Sequence, residues 1–294
     1  MANSLVQTVF VRLVSILSLF SALVACAGVA RAQTPACDAL QGDKRGLAQA
    51  ILQSQHPYAC CDATISECLA RRPRCVVARR LAQDICRRAE AGQDRATIER
   101  AIIKRAESMS RNGAPVPIDL SNTTAAGEPD AKVSIVAYVC GRCPMCSRLV
   151  PALHKQVTEG ALKGKARLYI KMFPIRTHAF STETAMGVLA SQQLGKFWPF
   201  VLQLYSHFDD FAVERLPDYA VSAGIDRAAF IDLSSDSTIR TRLVDSKKEG
   251  IRNKVDSTPT LFFGGYRYSA DLGIASVQDA VEEEYDRITG KSTE

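Results

Sequence analysis

The four residues Cys143-Pro144-Met145-Cys146, set between an apolar run and a helical pattern, constrain this chain more than any other feature. Before them, Lys132-Val-Ser-Ile-Val-Ala-Tyr-Val139 is nearly continuous apolar sequence, as expected of a strand buried on both faces. After them a helix is predicted from Pro144 to about Gln156. Pro144 suits the first helical turn, where its missing N–H would be unpaired anyway. Cys143 then stands at the helix N-terminus, where free N–H groups and the positive end of the helix dipole favour a sulfur anion. A thiol attacks a disulfide only as its thiolate, so Cys143 is the candidate nucleophile and is expected to be exposed. Cys146 lies within the same turn, in reach of a bond, and is the candidate sheltered thiol that resolves a mixed disulfide.

A pair of cysteines at this spacing is also half of a zinc site, but zinc usually needs a second pair of ligands. After residue 32 the chain offers His56, His154, His178 and His207, none in a paired spacing, so neither a metal nor another cofactor is expected. The surrounding pattern is α/β. A second strand is predicted over 166–173, mostly helical sequence over about 180–250, then Thr260-Leu-Phe-Phe263, a Gly264-Gly265 turn, Tyr266-Arg-Tyr268 and a helix around 277–288.

Three stretches together resemble the DsbA-like thioredoxin-fold thiol–disulfide oxidoreductases: Val136-Ala137-Tyr138 leading to the cysteine pair, Gly195-Lys196-Phe197-Trp198, and Ser257-Thr258-Pro259-Thr260-Leu261-Phe262-Phe263-Gly264-Gly265. The resemblance covers residues 128–290. It implies a thioredoxin fold with a helical insertion, a cis peptide before Pro259 beside the cysteine pair, and Thr258 lining a peptide-binding groove. Pro144, Met145, Thr258 and Pro259 are the substrate-binding candidates. Phe197 and Trp198 are expected in the core of the insertion.

Two departures stand out. Family members often carry an acidic residue before the Tyr138 position, and this chain has Ala137, so no buried carboxylate is evident to take the proton of Cys146. The second is Cys140, which extends the motif to Cys140-x-x-Cys143-x-x-Cys146. It is a candidate accessory redox thiol, a soft metal ligand alongside Met145, or a small residue at the strand end.

The first 32 residues read as an export signal: Arg12, an apolar stretch over 13–25, and Ala30-Arg31-Ala32 before Gln33. A membrane anchor is the alternative reading of that apolar stretch. Leu23-Val24-Ala25-Cys26 also has the form of a lipoprotein box, and cleavage there would leave a lipidated Cys26. The remaining chain carries 35 basic and 31 acidic residues, a net +4, too mild to argue for nucleic acid.

Nine of the ten cysteines follow residue 32, which together with an export signal points to an oxidising compartment, the periplasm. Six of them, Cys37, Cys60, Cys61, Cys68, Cys75 and Cys86, fall in residues 33–111, read as a small all-α module ahead of a linker over 112–130 and the thioredoxin-like domain over 131–294. The module's clearest helix runs from Cys75 to Ala89, with Val77, Leu81, Ile85 and Ala89 on one stripe. Pro73 separates it from a helical stretch around Ile65 and Leu69, and Gly92 and Asp94 mark the stop and the next start. That next helix, 95–109, is expected to turn Ile98 and Ile102 inward and its Arg and Lys outward. The arginines are read as solvated faces first and as a docking surface for an acidic partner second.

Cys75 and Cys86 would lie about 16 Å apart along one helix and cannot bond. On an unbroken helix Cys61 and Cys68 are too distant as well, which favours long-range pairs such as Cys60 or Cys61 with Cys86. Six cysteines allow fifteen connectivities, and the sequence does not choose among them. Residues 55–110 are also weakly similar to the helical domain of CcmH-type cytochrome c maturation thioreductases, through Cys61-Asp-Ala-Thr-Ile65 and Ala91-Gly92-Gln93, but the CxxC of those proteins is replaced by adjacent Cys60-Cys61 and a later Cys68.

The reading is a periplasmic oxidoreductase exchanging disulfides with protein substrates through Cys143 and Cys146, served by a redox partner protein in the envelope. Its alternatives are a reductase for cytochrome c maturation and a non-catalytic copper(I)-binding protein using Cys140, Cys143, Met145 and Cys146.

Overall fold

The computed structural model describes residues 35–71 and 74–290. The export signal, Cys26 and Pro73 lie outside the described residues. Five helices come first: α1 (Pro35–Asp38), α2 (Gly42–Ser54), α3 (Ile65–Arg71), α4 (Val76–Glu90) and α5 (Arg95–Met109). Then follow β1 (Val133–Val139), α6 (Pro144–Thr158), β2 (Ala166–Met172), five helices α7 (Ser181–Gln193), α8 (Phe197–Ser206), α9 (Leu216–Ser222), α10 (Arg227–Ser234) and α11 (Ser237–Arg252), β3 (Thr260–Phe263), β4 (Tyr266–Tyr268) and α12 (Ile274–Ile288).

The four strands form one sheet in the order β2-β1-β3-β4. Strands β1 and β2 are parallel, Val133 opposite Ala166, so a crossover is required between them, and α6 supplies it. Strand β3 runs antiparallel to β1, Ala137 opposite Leu261, and β4 antiparallel to β3. The tight β3–β4 turn uses Gly264 and Gly265, both at positive φ (55° and 85°), as a two-residue hairpin of this twist requires.

Alternation along β1 sends side chains to two cores. Ile135, Ala137 and Val139 join α6 (Leu149, Val150, Leu153) and the cysteines. Val136 and Tyr138 face the other way, onto Phe173, Val255 and Phe262. The Pro- and Gly-containing residues after α5 form a strap over this second face. The Val116 N–H bonds the Gly265 carbonyl at 2.9 Å, Val116, Ile118 and Leu120 pack on the sheet, and Ala126 bridges to Leu168 of β2. Helices α7 to α11 fill the interval between β2 and β3, with Phe197, Trp198, Phe200 and Phe230 buried among them.

Cysteine pairing differs from expectation. The disulfides are Cys37–Cys86, Cys60–Cys75 and Cys61–Cys68, with Cα separations of 5.1, 5.7 and 6.0 Å. Cys61 and Cys68 meet because α3 begins only at Ile65, leaving Cys61 in the preceding loop rather than on a continuous helix. Cys86 is taken by Cys37 of α1, not by Cys60 or Cys61. Cys75 is the N-cap of α4, its sulfur accepting from the Ala78 N–H.

Some of the basic residues of α4 and α5 are also placed differently, while Arg95, Arg100 and Lys104 are exposed as expected. Arg105 is only 2% exposed and Arg88 is buried. The reason lies far along the chain: α12 presents Asp279, Glu282, Glu283 and Asp286 to them. Arg105 pairs with Glu283 at 3.0 Å and lies 3.7 Å from Asp279, and Arg80 pairs with Asp286 at 2.7 Å. Arg87 pairs with Asp279, Arg88 reaches Asp271 at 2.7 Å, and the Tyr58 hydroxyl donates to Glu283 at 2.6 Å. For Arg80, Arg87 and Arg105 the acidic partner is the chain's own last helix, whereas Arg88 pairs with Asp84 and Asp271.

Candidate redox site

Cys143 is the N-cap of α6, in extended conformation (φ −95°, ψ 123°), and Pro144 occupies the first helical turn. The Cys143 N–H donates to the Cys140 carbonyl at 3.1 Å, closing a turn that carries the chain from the end of β1 into α6. Within that turn Gly141 is required: a Cβ there would come 2.5 Å from the Thr184 Oγ1 of α7. Arg142 fastens the turn to the helical insertion, donating to the Phe208 carbonyl at 3.0 Å with its guanidinium over the rings of Phe208 (4.6 Å) and Phe211 (4.1 Å).

Thr258 and Pro259, joined by a cis peptide, stand immediately before β3, which is hydrogen-bonded to β1. This register brings the loop over Cys143: its Sγ donates to the Thr258 carbonyl at 3.1 Å. Cys143 is consequently only 4% exposed, not open as the sequence suggests, because a segment 115 residues away covers it. Cys146 is fully buried, whereas Pro144 is exposed and Met145 is 41% exposed, so the motif presents its interior residues outward.

The two thiols differ electrostatically. Cys143 is pushed down to about 5, chiefly by the hydrogen bond from Cys146. Burial opposes this, but the Cys146 and Met145 backbone N–H groups at the helix start and the Thr258 side chain stabilise the anion further. The Thr258 hydroxyl is buried with no other hydrogen-bond partner, free to donate to a sulfur anion. Cys146 moves the opposite way. Burial drives it well above the ordinary thiol range, and its bond to Cys143 and that residue's charge add to the effect. One sulfur is therefore disposed to be an anion while its neighbour keeps the proton.

Cys140 directly follows β1, fully buried, with its Sγ 3.4 Å from His178 Nδ1, and its carbonyl also accepts from the Tyr205 hydroxyl at 3.3 Å. Burial raises the Cys140 thiol, against the backbone N–H groups of Ile175 and Arg142. Sequence patterning gave no hint of His178, Tyr205 or Arg142, because each reaches the site from a different element or as a bend in the chain. Among the described residues no group of three or more His, Cys, Asp or Glu is placed to hold a metal ion. Cys140, Cys143 and Cys146 are the free cysteines there; Cys60, Cys61 and Cys68 are all in disulfides.

A parallel–antiparallel sheet with a cysteine pair at a crossover-helix N-terminus, a cis-proline loop above it and a helical insertion defines a DsbA-like thioredoxin fold. Residues 119–283, more than half of the chain, match the thioredoxin family Thioredoxin_4, and the chain belongs to that family. Among solved structures it is similar to BdbD from Bacillus subtilis (17% identity, 60% of this chain and 99% of that one, TM-score 0.50). It is also similar to the thiol–disulfide exchange protein alpha-DsbA2 from Wolbachia pipientis (20% identity, 65% and 100%, TM-score 0.50). Among curated relatives, a protein named Na(+)/H(+) antiporter NhaA 1 from Mycolicibacterium gilvum is 32% identical over 171 residues, 56% of this chain but only 27% of that protein. The chain thus spans about a quarter of that relative's length. Among the described residues no helix is long and apolar enough to cross a membrane.

Proposed function

We propose that this chain is a thiol–disulfide oxidoreductase that exchanges disulfides with protein substrates through Cys143 and Cys146. Cys143 attacks or is attacked by a substrate sulfur. Cys146, one turn behind, closes the internal disulfide or receives its electrons. Pro144 and Met145 on the exposed helix start, with Thr258 and Pro259 opposite, form the substrate contact. The observation that carries this reading is the placement of the Cys143 sulfur at the helix start, among the N–H groups of Met145 and Cys146, directly below the Thr258 carbonyl.

The compartment proposed is the periplasm. Support comes from the apolar N-terminal stretch with its small-residue cleavage motif, and from three disulfides joining residues 37–86, which persist where the environment is oxidising. An envelope redox partner is required to reset the pair after each turnover.

Insulin reduction and refolding of a scrambled disulfide substrate test the function. Purified protein is expected to catalyse at least one of them, and Cys143→Ser to abolish it. Stoichiometric copper(I) binding with no exchange activity would overturn the proposal in favour of a metal-binding protein. The redox potential of the pair then decides between oxidant and reductant, since 30 mV corresponds to about 1.4 kcal/mol for two electrons.

A further inference from the structure

Cys143 belongs to two cysteine pairs at once. Forward, it pairs with Cys146 across the first turn of α6. Backward, it ends the turn Cys140-Gly141-Arg142-Cys143, which is closed by the 3.1 Å bond from the Cys143 N–H to the Cys140 carbonyl. The ends of such a turn have Cα atoms within about 7 Å. That overlaps the separation of roughly 4.4–6.8 Å spanned by disulfides. The backward thiol has what the forward one lacks, a base in contact: His178 Nδ1 lies 3.4 Å from Cys140 Sγ. No histidine or carboxylate among the described residues acts on Cys146: the β1 position on its side of the sheet is Ala137, and its thiol is influenced by Cys143, the Cys140 backbone and the Thr258 side chain.

Resting on the exchange function proposed above, we infer that Cys140 is a second resolving thiol, which displaces substrate from Cys143 by forming a Cys140–Cys143 disulfide with His178 as its base. In the step, Cys140 gives its proton to His178 Nδ1 and its sulfur attacks the Cys143 sulfur of the mixed disulfide. The bond from Cys143 to the substrate sulfur breaks, and the substrate cysteine leaves with that electron pair and takes up the proton from the imidazolium. Cys140 is oxidised and the substrate cysteine reduced, so no outside oxidant enters. Solvent access to Cys140 is not needed, since the attack comes from inside the turn. The two exits leave different products: a Cys143–Cys146 bridge in one case, a Cys140–Cys143 bridge with Cys146 still a thiol in the other.

The test uses full-length Cys146→Ser protein challenged with oxidised glutathione, with disulfides mapped by mass spectrometry of the non-reduced digest. Cys143 is expected to take one glutathione and then release it, leaving a Cys140–Cys143 bridge. In Cys140→Ala/Cys146→Ser the adduct is expected to last about tenfold longer or more, and His178→Ala in the Cys146→Ser background to slow release as well. Equal persistence with and without Cys140 overturns the inference while leaving exchange at Cys143 intact. Absence of any adduct at Cys143 in both Cys146→Ser and the double variant overturns the exchange function itself, and this inference with it. Should the double variant not fold, the unmutated protein oxidised with limiting oxidised glutathione is mapped instead: a Cys140–Cys143 peptide is expected beside the Cys143–Cys146 one, and its complete absence overturns the inference.

Discussion

At the sulfur of Cys143 burial and hydrogen bonding pull in opposite directions, and the hydrogen bonds win because several donors converge on one atom. Nothing comparable attends Cys146, and the residue that would supply a carboxylate, position 137, is alanine. Ala137 is buried on the face of β1 that joins the cysteine core, so Ala137→Glu would set an acid on the correct side of the sheet. Stopped-flow measurement of mixed-disulfide resolution is expected to show an acceleration of roughly tenfold or more, and an unchanged rate would show that proton removal from Cys146 does not limit resolution. Gly141 is a stricter position. Gly141→Ala drives a methyl group into Thr184, and urea titration is expected to show a loss of about 1–3 kcal/mol; a variant as stable as the parent would mean that the turn yields freely.

The arrangement of elements was readable where it rests on local pattern and obscure where it rests on distant partners. The β3–β4 hairpin is legible because two apolar-aromatic runs flank Gly264-Gly265, and the α6 start because Pro144 follows Cys143. Asp94 and Gly92 mark the α4–α5 junction as their side chain and backbone freedom dictate. The burial of Arg105 had no such signature: its partner Glu283 is 178 residues away, and a basic helical residue reads as solvated unless that partner is known. The covering of Cys143 by the Thr258 loop is hidden for the same reason, although the resemblance had already placed that loop beside the pair. Cys61–Cys68 looks too distant only on an unbroken helix, and α3 starts four residues after Cys61.

The clamp between α4, α5 and α12 makes its own prediction. Burial works against the charge of Arg105, but Tyr58, Glu283 and Asp279 outweigh it and hold the guanidinium protonated. Removing one member strands the others, so Glu283→Gln is expected to cost about 3–5 kcal/mol in urea unfolding. A loss below about 1 kcal/mol, the scale of surface pairs, would show that the network is not sealed from water.

Across the whole molecule the helical module, the strap and the sheet share buried groups, so heating the oxidised protein is expected to give one calorimetric transition; two resolved transitions would contradict that coupling. Within the module the Cys37–Cys86 disulfide closes a loop of 49 residues, and on the chain-entropy account its removal costs about 4 kcal/mol. Stability of the state with Cys143 and Cys146 reduced should also depend on pH. The folded-state value of Cys143 is depressed, so the unfolded chain binds more protons between about 5 and the ordinary thiol range. The stability this contributes is fully present above the unfolded value and is lost as pH falls through about 5. The account stands most directly on that anion. The measurement is the pH dependence of iodoacetamide alkylation at Cys143 in the full-length protein, followed on the peptide that carries it. A rate curve with its midpoint near 5 is predicted. A midpoint at the free-cysteine value of about 8.5 would contradict the account.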